Sequence, residues 1–447
     1  MSVLGKKNKL NGVQKLAIGF AILIFGGAAL LSLPISSVSG EPTGFIDSLF
    51  TSTSAVCVTG LITVDTGTHW NYFGKTIIML LIEIGGLGFM AFTTLFAFLM
   101  GKKITLKERL VMQEAMNTFD IQGIVKMVRY ILLFTVITQA LGAILMFTQF
   151  IPQFGVAEGI FYAIFHSISA FCNAGFDLFG HFNSLTVVNT NTVIILTISI
   201  LIIIGGLGFT VWSELYNSKD IKRISLHSKV VILITSILVI GGTILIFLFE
   251  FRNPNTLGSM SLKDKVINAF FTSVSPRTAG FNSISLADMT MASRGVTMIL
   301  MFIGGSPGST AGGLKTTTFG ILILTVISVI KGRKDTEIFM KRLSKETVYR
   351  AFAIFSLAIG LVMCVVMILS FTETGVTFEE ILFESVSAFG TAGLTMGITT
   401  KLSLVGKIVI MITMYCGRLG PMTVMLALVK RKQNSVYQYP EDKILVG

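Results

Sequence analysis

One short pattern, written four times along the chain, limits the possible folds more than any other feature. It reads "LFTSTSAVCVTGL" from Leu49 to Leu61, "IFHSISAFCNAGF" from Ile164 to Phe176, "FFTSVSPRTAGF" from Phe270 to Phe281 and "LFESVSAFGTAGL" from Leu382 to Leu394. Each copy holds Phe-x-Ser-x-Ser and ends in a glycine before Leu or Phe. Those glycines, Gly60, Gly175, Gly280 and Gly393, are 115, 105 and 113 residues apart, and the third copy is one residue shorter. Self-similarity at a near-fixed period marks a repeated structural unit.

Every copy lies between two apolar runs. The leading runs are Leu16 to Ile35, Tyr130 to Ile151, Val230 to Phe251 and Ala351 to Phe371; the trailing runs are Thr76 to Met100, Thr192 to Val211, Val296 to Val329 and Ile408 to Val429. All but the third trailing run match the roughly 20 residues that cross a hydrocarbon core of about 30 Å. With 52% hydrophobic and 13% charged residues and a mean hydropathy of +0.80, the chain reads as an integral membrane protein. The repeated pattern is too short to cross and is expected to be re-entrant, which a bilayer tolerates only where the backbone lines a wet cavity or is buried in protein. The first run lacks a convincing small-residue cleavage site, so it reads as a retained helix rather than a signal peptide. Cys57, Cys172, Cys364 and Cys416 have neither C-x-x-C pairing nor ligand-spaced histidines, which points away from a disulfide framework or a zinc site.

Charge sets the direction. The termini and the three linkers, Lys102 to Arg129, Lys219 to Lys229 and Lys331 to Arg350, hold 25 of the 35 Lys and Arg; eight lie on the other side and two, Lys315 and Arg418, fall inside spans. Both termini are therefore expected in the cytoplasm, with 12 of the 23 acids outside, among them Glu373, Glu379, Glu380 and Glu384. The net charge of +12 is mostly this topology signal and does not indicate nucleic-acid binding. Two spans per unit give all four units one orientation. The expected fold is an all-α polytopic membrane protein, with four parallel helix–pore loop–helix repeats around a pseudo-fourfold central pore. Its parts run 1–14 (cytoplasmic tail), 15–101 (repeat 1), 102–218 (repeat 2 with its preceding linker), 219–335 (repeat 3, with a broken trailing helix), 336–432 (repeat 4) and 433–447 (cytoplasmic tail).

Four parallel re-entrant loops ending in glycine suggest a ring of backbone around an axis. A dehydrated cation needs oxygens in place of its water, and carbonyls supply them without burying fixed charge. Glycine can turn those carbonyls inward without crowding the axis. The short helix before each loop aims its negative end at the same point. Glycines that merely let helices approach would explain one copy; four aligned copies ask for more.

These residues give the chain a family likeness. From Lys15 to Lys432 it resembles the membrane subunit of a Ktr-type bacterial potassium uptake system, in the Trk/Ktr/HKT superfamily of cation transporters. The likeness rests on the four S-x-S...G loops, on "GGSPGSTAGGLKT" and on "YCGRLGP" from Tyr415 to Pro421. It implies one filter glycine per repeat, so that Val58, Thr59 and Gly60, Asn173, Ala174 and Gly175, Thr278, Ala279 and Gly280, and Thr391, Ala392 and Gly393 would form the filter, with potassium held by carbonyls at the four glycines. Glycine in the first repeat resembles the potassium-selective type. The resemblance further implies a plasma-membrane homodimer working with a cytoplasmic RCK-type ring of regulatory subunits, nucleotide being bound only on that partner. Sodium is a further candidate ion.

A second signature follows the first. "GGLG" occurs at Gly85 to Gly88 and Gly205 to Gly208, "GGSPG" at Gly304 to Gly308 and "GRLG" at Gly417 to Gly420, starting 25, 30, 24 and 24 residues after the loop glycines. Arg418 thus stands where the other copies have glycine. A guanidinium at that depth marks a functional site or an internal pair; the two readings are an ion pair with Glu83, or a position below the filter where it meets loop carbonyls and repels cations. The third trailing run, at about 1.5 Å per residue, would be roughly 50 Å long as one helix, and Pro307 with its glycines breaks it. Gly304, Gly305, Ser306, Pro307, Gly308, Ser309, Thr310, Ala311, Gly312 and Gly313 are therefore expected to form a gate below the filter, held by Arg418, with Lys315 marking the restart of the helix.

Other chemistries fit poorly. "GSTAGGLK" misses the phosphate-loop spacing because Leu314 separates glycine from lysine. His69, His166, His181 and His227 have no nucleophile motif beside them, so no enzymatic activity is expected. Glu384 and His166 share one position on the loop helices, where they could tune ion entry or simply cap and pack. Ile104 to Gln122 and Glu337 to Arg350 mix apolar and basic residues at roughly helical spacing, as a surface for a partner or for headgroups would. The expected function is potassium uptake, with an ion-coupled small-solute symporter or a sodium-permeable cation transporter as alternatives. Symport coupled to sodium or protons and channel-like uptake are both compatible with these residues.

Overall fold

The computed structural model describes residues 12–88, 124–218, 224–428 and 440. The stretch Ile104 to Gln122, the later part of the first trailing run and the C-terminal tail from residue 433, Pro440 apart, lie outside the described residues.

The four leading runs form long helices: α1 (Gly12–Leu31), α5 (Ile124–Phe154), α9 (Leu226–Glu250) and α13 (Lys345–Thr372). Among the described residues these are the four helices long and apolar enough to cross a membrane. The repeated pattern forms shorter helices, α2 (Phe45–Val56), α6 (Val156–Phe171), α10 (Leu262–Val274) and α14 (Phe378–Gly390), each followed by a non-helical return. A four-residue helix, α3 (Thr66–His69), stands after the first return. The trailing segments are α4 (Tyr72–Leu87), α7 (Thr192–Leu207), α11 (Met291–Phe302) with α12 (Thr316–Ile330), and α15 (Leu404–Leu419). Two short helices, α8 (Phe209–Asn217) and α16 (Pro421–Leu428), follow α7 and α15.

The trailing runs correct one expectation. They were read as continuous apart from the third, yet α4, α7 and α15 all stop at the leucine of their GGLG or GRLG. The next residue, Gly88, Gly208 or Gly420, has φ of +86°, +97° or +88° and ends the helix in a conformation closed to other residues. Between α7 and α8 the chain bends by 94°. α4, α7 and α15 therefore end two residues past the first glycine of the signature, whereas α11 ends at Phe302, two residues before Gly304.

Serines explain why the pattern recurs. The first serine of S-x-S pins the short helix to the leading helix: Ser52 Oγ donates to Ile24 O at 2.7 Å, Ser167 Oγ to Gln139 O at 2.6 Å and Ser273 Oγ to Val239 O at 2.8 Å. Ser385 departs from this by bonding within its own helix, to Ile381 O. At the opposite end of each unit the end of the leading helix, or the residues just after it, clasps the cap of the trailing one. Asn71 Nδ2 donates to Ile35 O, Asn191 Nδ2 to Gln149 Oε1, Thr290 N and Oγ1 to Glu250, and Ser403 N and Oγ to Glu373. Every trailing helix begins on one of these caps.

Between repeats the packing runs in order. α4 lies against α6, α7 against α10, α11 against α14, and α15 returns to α2. The stretch Glu337 to Arg350 is a second correction: before α13 begins, it forms a β-hairpin of β1 (Glu337–Ile338) and β2 (Lys341–Arg342). Phe339 and Met340 at its tip have φ of +50° and +58°, the twist that a two-residue hairpin turn requires.

Candidate functional site

The loop glycines are neighbours. A Cβ placed on Gly60 would lie 2.7 Å from Ala174 O, one on Gly175 2.6 Å from Ala279 O and one on Gly280 2.8 Å from Ala392 O, while one on Gly393 would strike Thr59 O. Each contact is made with the carbonyl just before the next repeat's glycine, and the fourth returns to the first. No side chain fits at any of the four. All four glycines also have positive φ, from +69° at Gly175 to +95° at Gly60.

The residue two before each glycine was not singled out by sequence reasoning for its conformation. Val58, Asn173, Thr278 and Thr391 have φ of +50°, +59°, +75° and +48°, although three of them are β-branched. This conformation costs roughly 1–2 kcal/mol for an L-residue, so its fourfold recurrence needs a structural cause. Left-handed residues alternate with Thr59, Ala174, Ala279 and Ala392, which aims successive peptide groups to one side. The second serine of each motif holds the turn. Ser54 O, Ser169 O, Ser275 O and Ser387 O accept from the amides of those same intervening residues at 2.8–2.9 Å. Ser54 Oγ accepts from Gly60 N at 3.0 Å, whereas Ser169 Oγ and Ser275 Oγ donate to Phe176 O and Phe281 O.

On one side of this ring lies a cavity of about 440 Å³, bordered by Gly60 and Gly393 with Asn183, Asn282, Thr395 and Thr399. Its lining mixes these uncharged polar groups with apolar ones such as Ile62, Phe182 and Met396 and includes no charged side chain. The acids nearby are already engaged: Glu384 is buried and accepts from Thr395 and Thr399, Glu379 pairs with Arg294 at 3.0 Å, and Asp47 pairs with Lys407 at 2.7 Å. Bonds from Thr377 hold the Glu380 carboxyl below its ordinary value. Burial pushes His69 below its ordinary value, against the opposite pull of Asp47 and Asp65. His166, equivalent to Glu384, receives Leu178 N at 3.4 Å and bonds to Tyr162 O. Both residues thus clasp their own returning loops.

On the other side the four breaks converge. The loop between α11 and α12 reaches repeat 2 through Ser306 N to Gly206 O (3.0 Å), Thr310 N to Gly205 O (3.2 Å) and Phe209 N to Gly308 O (2.9 Å). It reaches repeat 4 through Gly313 N to Gly417 O (3.2 Å). Arg418 donates to Thr310 O in the loop and, through Nη2, to Gly85 O at 2.5 Å and Gly86 O at 2.9 Å in repeat 1. The ion pair with Glu83 does not form; that carboxylate accepts instead from Gln139 at 2.8 Å and Cys172 at 3.3 Å. Lys315 stands immediately before α12, and its Nζ donates to Ala311 O at 2.7 Å rather than capping the helix. The first glycine of these signatures has a steric reason: a Cβ on Gly85, Gly205 or Gly417 would meet Val56 O, Phe171 O or Phe389 O at the end of a short helix.

One buried cation escaped the sequence reading, which placed it on the outer side. Arg277 is 6% exposed, stands just before Thr278 and is equivalent to Cys57, Cys172 and Gly390; its Nε has no hydrogen-bond partner. Its place in the aligned motif was the available signal.

Comparison with known proteins agrees with this architecture. The family model described as "TrkH: Cation transport protein" matches residues 10–439. The chain belongs to this family of cation transport proteins. It is 48% identical, over 100% of both chains, to the potassium/sodium uptake protein NtpJ of Enterococcus hirae. It is 42% identical to the Ktr system potassium uptake protein B of Bacillus subtilis, over 97% of this chain and 96% of that protein. The crystal structure of the potassium transporter TrkH from Vibrio parahaemolyticus superposes with a TM-score of 0.75 over 96% of this chain and 87% of that one, at 18% identity. As a TrkH-family chain with several apolar helices, it is a multi-pass membrane protein, and its class is not that of an enzyme.

Proposed function

We propose that this protein takes up potassium across the plasma membrane through a filter built from the backbone carbonyls of its four loops. One observation carries the reading: each loop glycine abuts the carbonyl preceding the next loop glycine, in an order that closes on itself. Such a ring offers a partly dehydrated cation oxygens from four sides, and the C-terminal ends of α2, α6, α10 and α14 add their partial negative charge. Potassium is the ion in the names of NtpJ and of the Bacillus subtilis protein; the first name adds sodium, which makes sodium a second candidate ion.

Below the ring, the 304–313 loop acts as the gate. Its hydrogen bonds to repeats 2 and 4, and the reach of Arg418 from it to repeat 1, support a plug that crosses the permeation path. The guanidinium opposes cations in a weakly screened setting. The name "Ktr system" implies further subunits, so a homodimer with both termini in the cytoplasm and a nucleotide-binding RCK-type ring beneath it completes the proposal. Purified protein in proteoliposomes should take up rubidium driven by membrane potential, with potassium competing more strongly than sodium, and amino acids or sugars not at all. Competition by an organic solute would instead support a symporter.

A further inference from the structure

The connection between α12 and α13 holds positive charge that the described residues do not neutralise. Residues 331–350 include seven Lys and Arg and three acids. All three acids are paired, Asp335 with Arg342 at 3.2 Å, Glu337 with Arg333 at 3.2 Å and Glu346 with Arg350 at 2.9 Å. Lys331, Lys334, Lys341 and Lys345 have no ion pair among the described residues. Lys334 and Lys345 line a cavity of about 280 Å³ between the end of α12 and the start of α13, together with Ser328, Tyr349, Val329 and the already paired Arg333 and Asp335.

The depth of this cavity follows from its own walls. Val329 and Ile330, the last residues of α12, are 69% and 79% exposed, and Lys331 comes next. An exposed apolar pair giving way at once to lysine marks the edge of the hydrocarbon, so the cavity lies at headgroup level with one wall, Val329, in the acyl layer. The neighbouring hairpin tip is apolar as well: Phe339 is 48% exposed, Met340 is fully exposed, and Lys341 and Arg342 follow. Apolar side chains backed by cations are the pattern of an interfacial anchor.

We propose that this cavity binds the phosphate headgroup of an anionic phospholipid, with the Phe339–Met340 tip seated among adjacent acyl chains. Two unpaired ammonium groups and the hydroxyls of Ser328 and Tyr349 match a phosphodiester that has one negative charge and several acceptor oxygens. A zwitterionic headgroup brings its own cation against Lys334 and Lys345 and fits less well. The inference does not depend on the filter or gate, because it uses only the position of α12 and α13 at the membrane edge.

Native mass spectrometry of the full chain, presented with phosphatidylglycerol or phosphatidylcholine, tests it. The parent should retain phosphatidylglycerol preferentially, and Lys334→Ala/Lys345→Ala should lower that retention about twenty-fivefold, at roughly fivefold per lysine. Lys334→Arg/Lys345→Arg should restore it, which separates lost charge from lost fold. Phe339→Ser/Met340→Ser should weaken binding to phosphatidylglycerol vesicles while leaving a monodisperse protein. Millimolar inorganic phosphate or ATP should not displace the lipid. Equal retention by parent and the double alanine variant would overturn the proposal, and so would displacement by either soluble phosphate.

Discussion

At the level of Gly60, Gly175, Gly280 and Gly393 the four repeats make one and the same contact, a glycine against the next repeat's carbonyl. Twenty-four to thirty residues later, at Gly85, Gly205, Gly304 and Gly417, they diverge. Repeats 1 and 2 offer bare carbonyls, repeat 3 inserts a loop and repeat 4 supplies Arg418, which ties the loop to repeat 1. On the proposed reading, the uniform ring is the part that surrounds the ion, and the single loop with its one cation is the part that blocks and releases the path.

The comparison is broken most severely at the ring. Gly393→Ala places a methyl against Thr59 O at a φ of +75°, an overpacking cost of about 3 kcal/mol that falls on the ring itself, and rubidium uptake should be largely lost. Gly241→Ala, in open space, should leave uptake at the parental level. Next in size, deleting Ser306 to Ala311 should leave ion preference intact while raising flux about tenfold and weakening its dependence on a regulatory partner, the scale of a typical coupling between sites. A folded deletion protein with parental flux would remove the gate from the account. Arg418→Gln should act in the same direction by a smaller factor, since the loop keeps its bonds to Gly205, Gly206 and Gly417.

Stability distinguishes the serines that pin helices together from the one that does not. Ser52→Ala, Ser167→Ala and Ser273→Ala should each cost about 1 kcal/mol in thermal unfolding in detergent, and Ser385→Ala less, because its bond stays within one helix. Equal losses at all four would mean that the pinning bonds contribute nothing of their own. The smallest expected effect is coupling between Glu83 and Arg418: a double-mutant cycle with Glu83→Gln and Arg418→Gln should give under about 0.5 kcal/mol, as befits groups bonded to different partners.

Much of this was legible because the chain repeats itself. The aligned serines and glycines point to four equivalent units, and apolar length alone finds α1, α5, α9 and α13. The breaks after Leu87, Leu207 and Leu419 were less visible, since hydropathy counts side chains whereas the helix ends because Gly88, Gly208 and Gly420 adopt positive φ. The left-handed Val58, Asn173, Thr278 and Thr391 could not be read at all; local preference disfavours that state for Val and Thr, and only the serine-held loop imposes it. Arg277 was misplaced because counting charge by segment cannot tell a pocketed guanidinium from one in water. The hairpin at Glu337–Arg342 was mistaken for helix because six residues of mixed apolar and basic character satisfy either period.

Competition uptake of rubidium against sodium, by Gly60→Ser beside Gly88→Ser, bears most directly on the claim that the loop glycines select the ion. Both positions have positive φ, at +95° and +86°, but a side chain at Gly60 meets Ala174 O and Gly175 whereas one at Gly88 meets nothing within 4 Å among the described residues. Backbone strain is therefore common to both variants, and only the ring contact differs. The account predicts that Gly60→Ser loses preference for rubidium over sodium while Gly88→Ser keeps it. A well-folded Gly60→Ser protein with parental preference would contradict it.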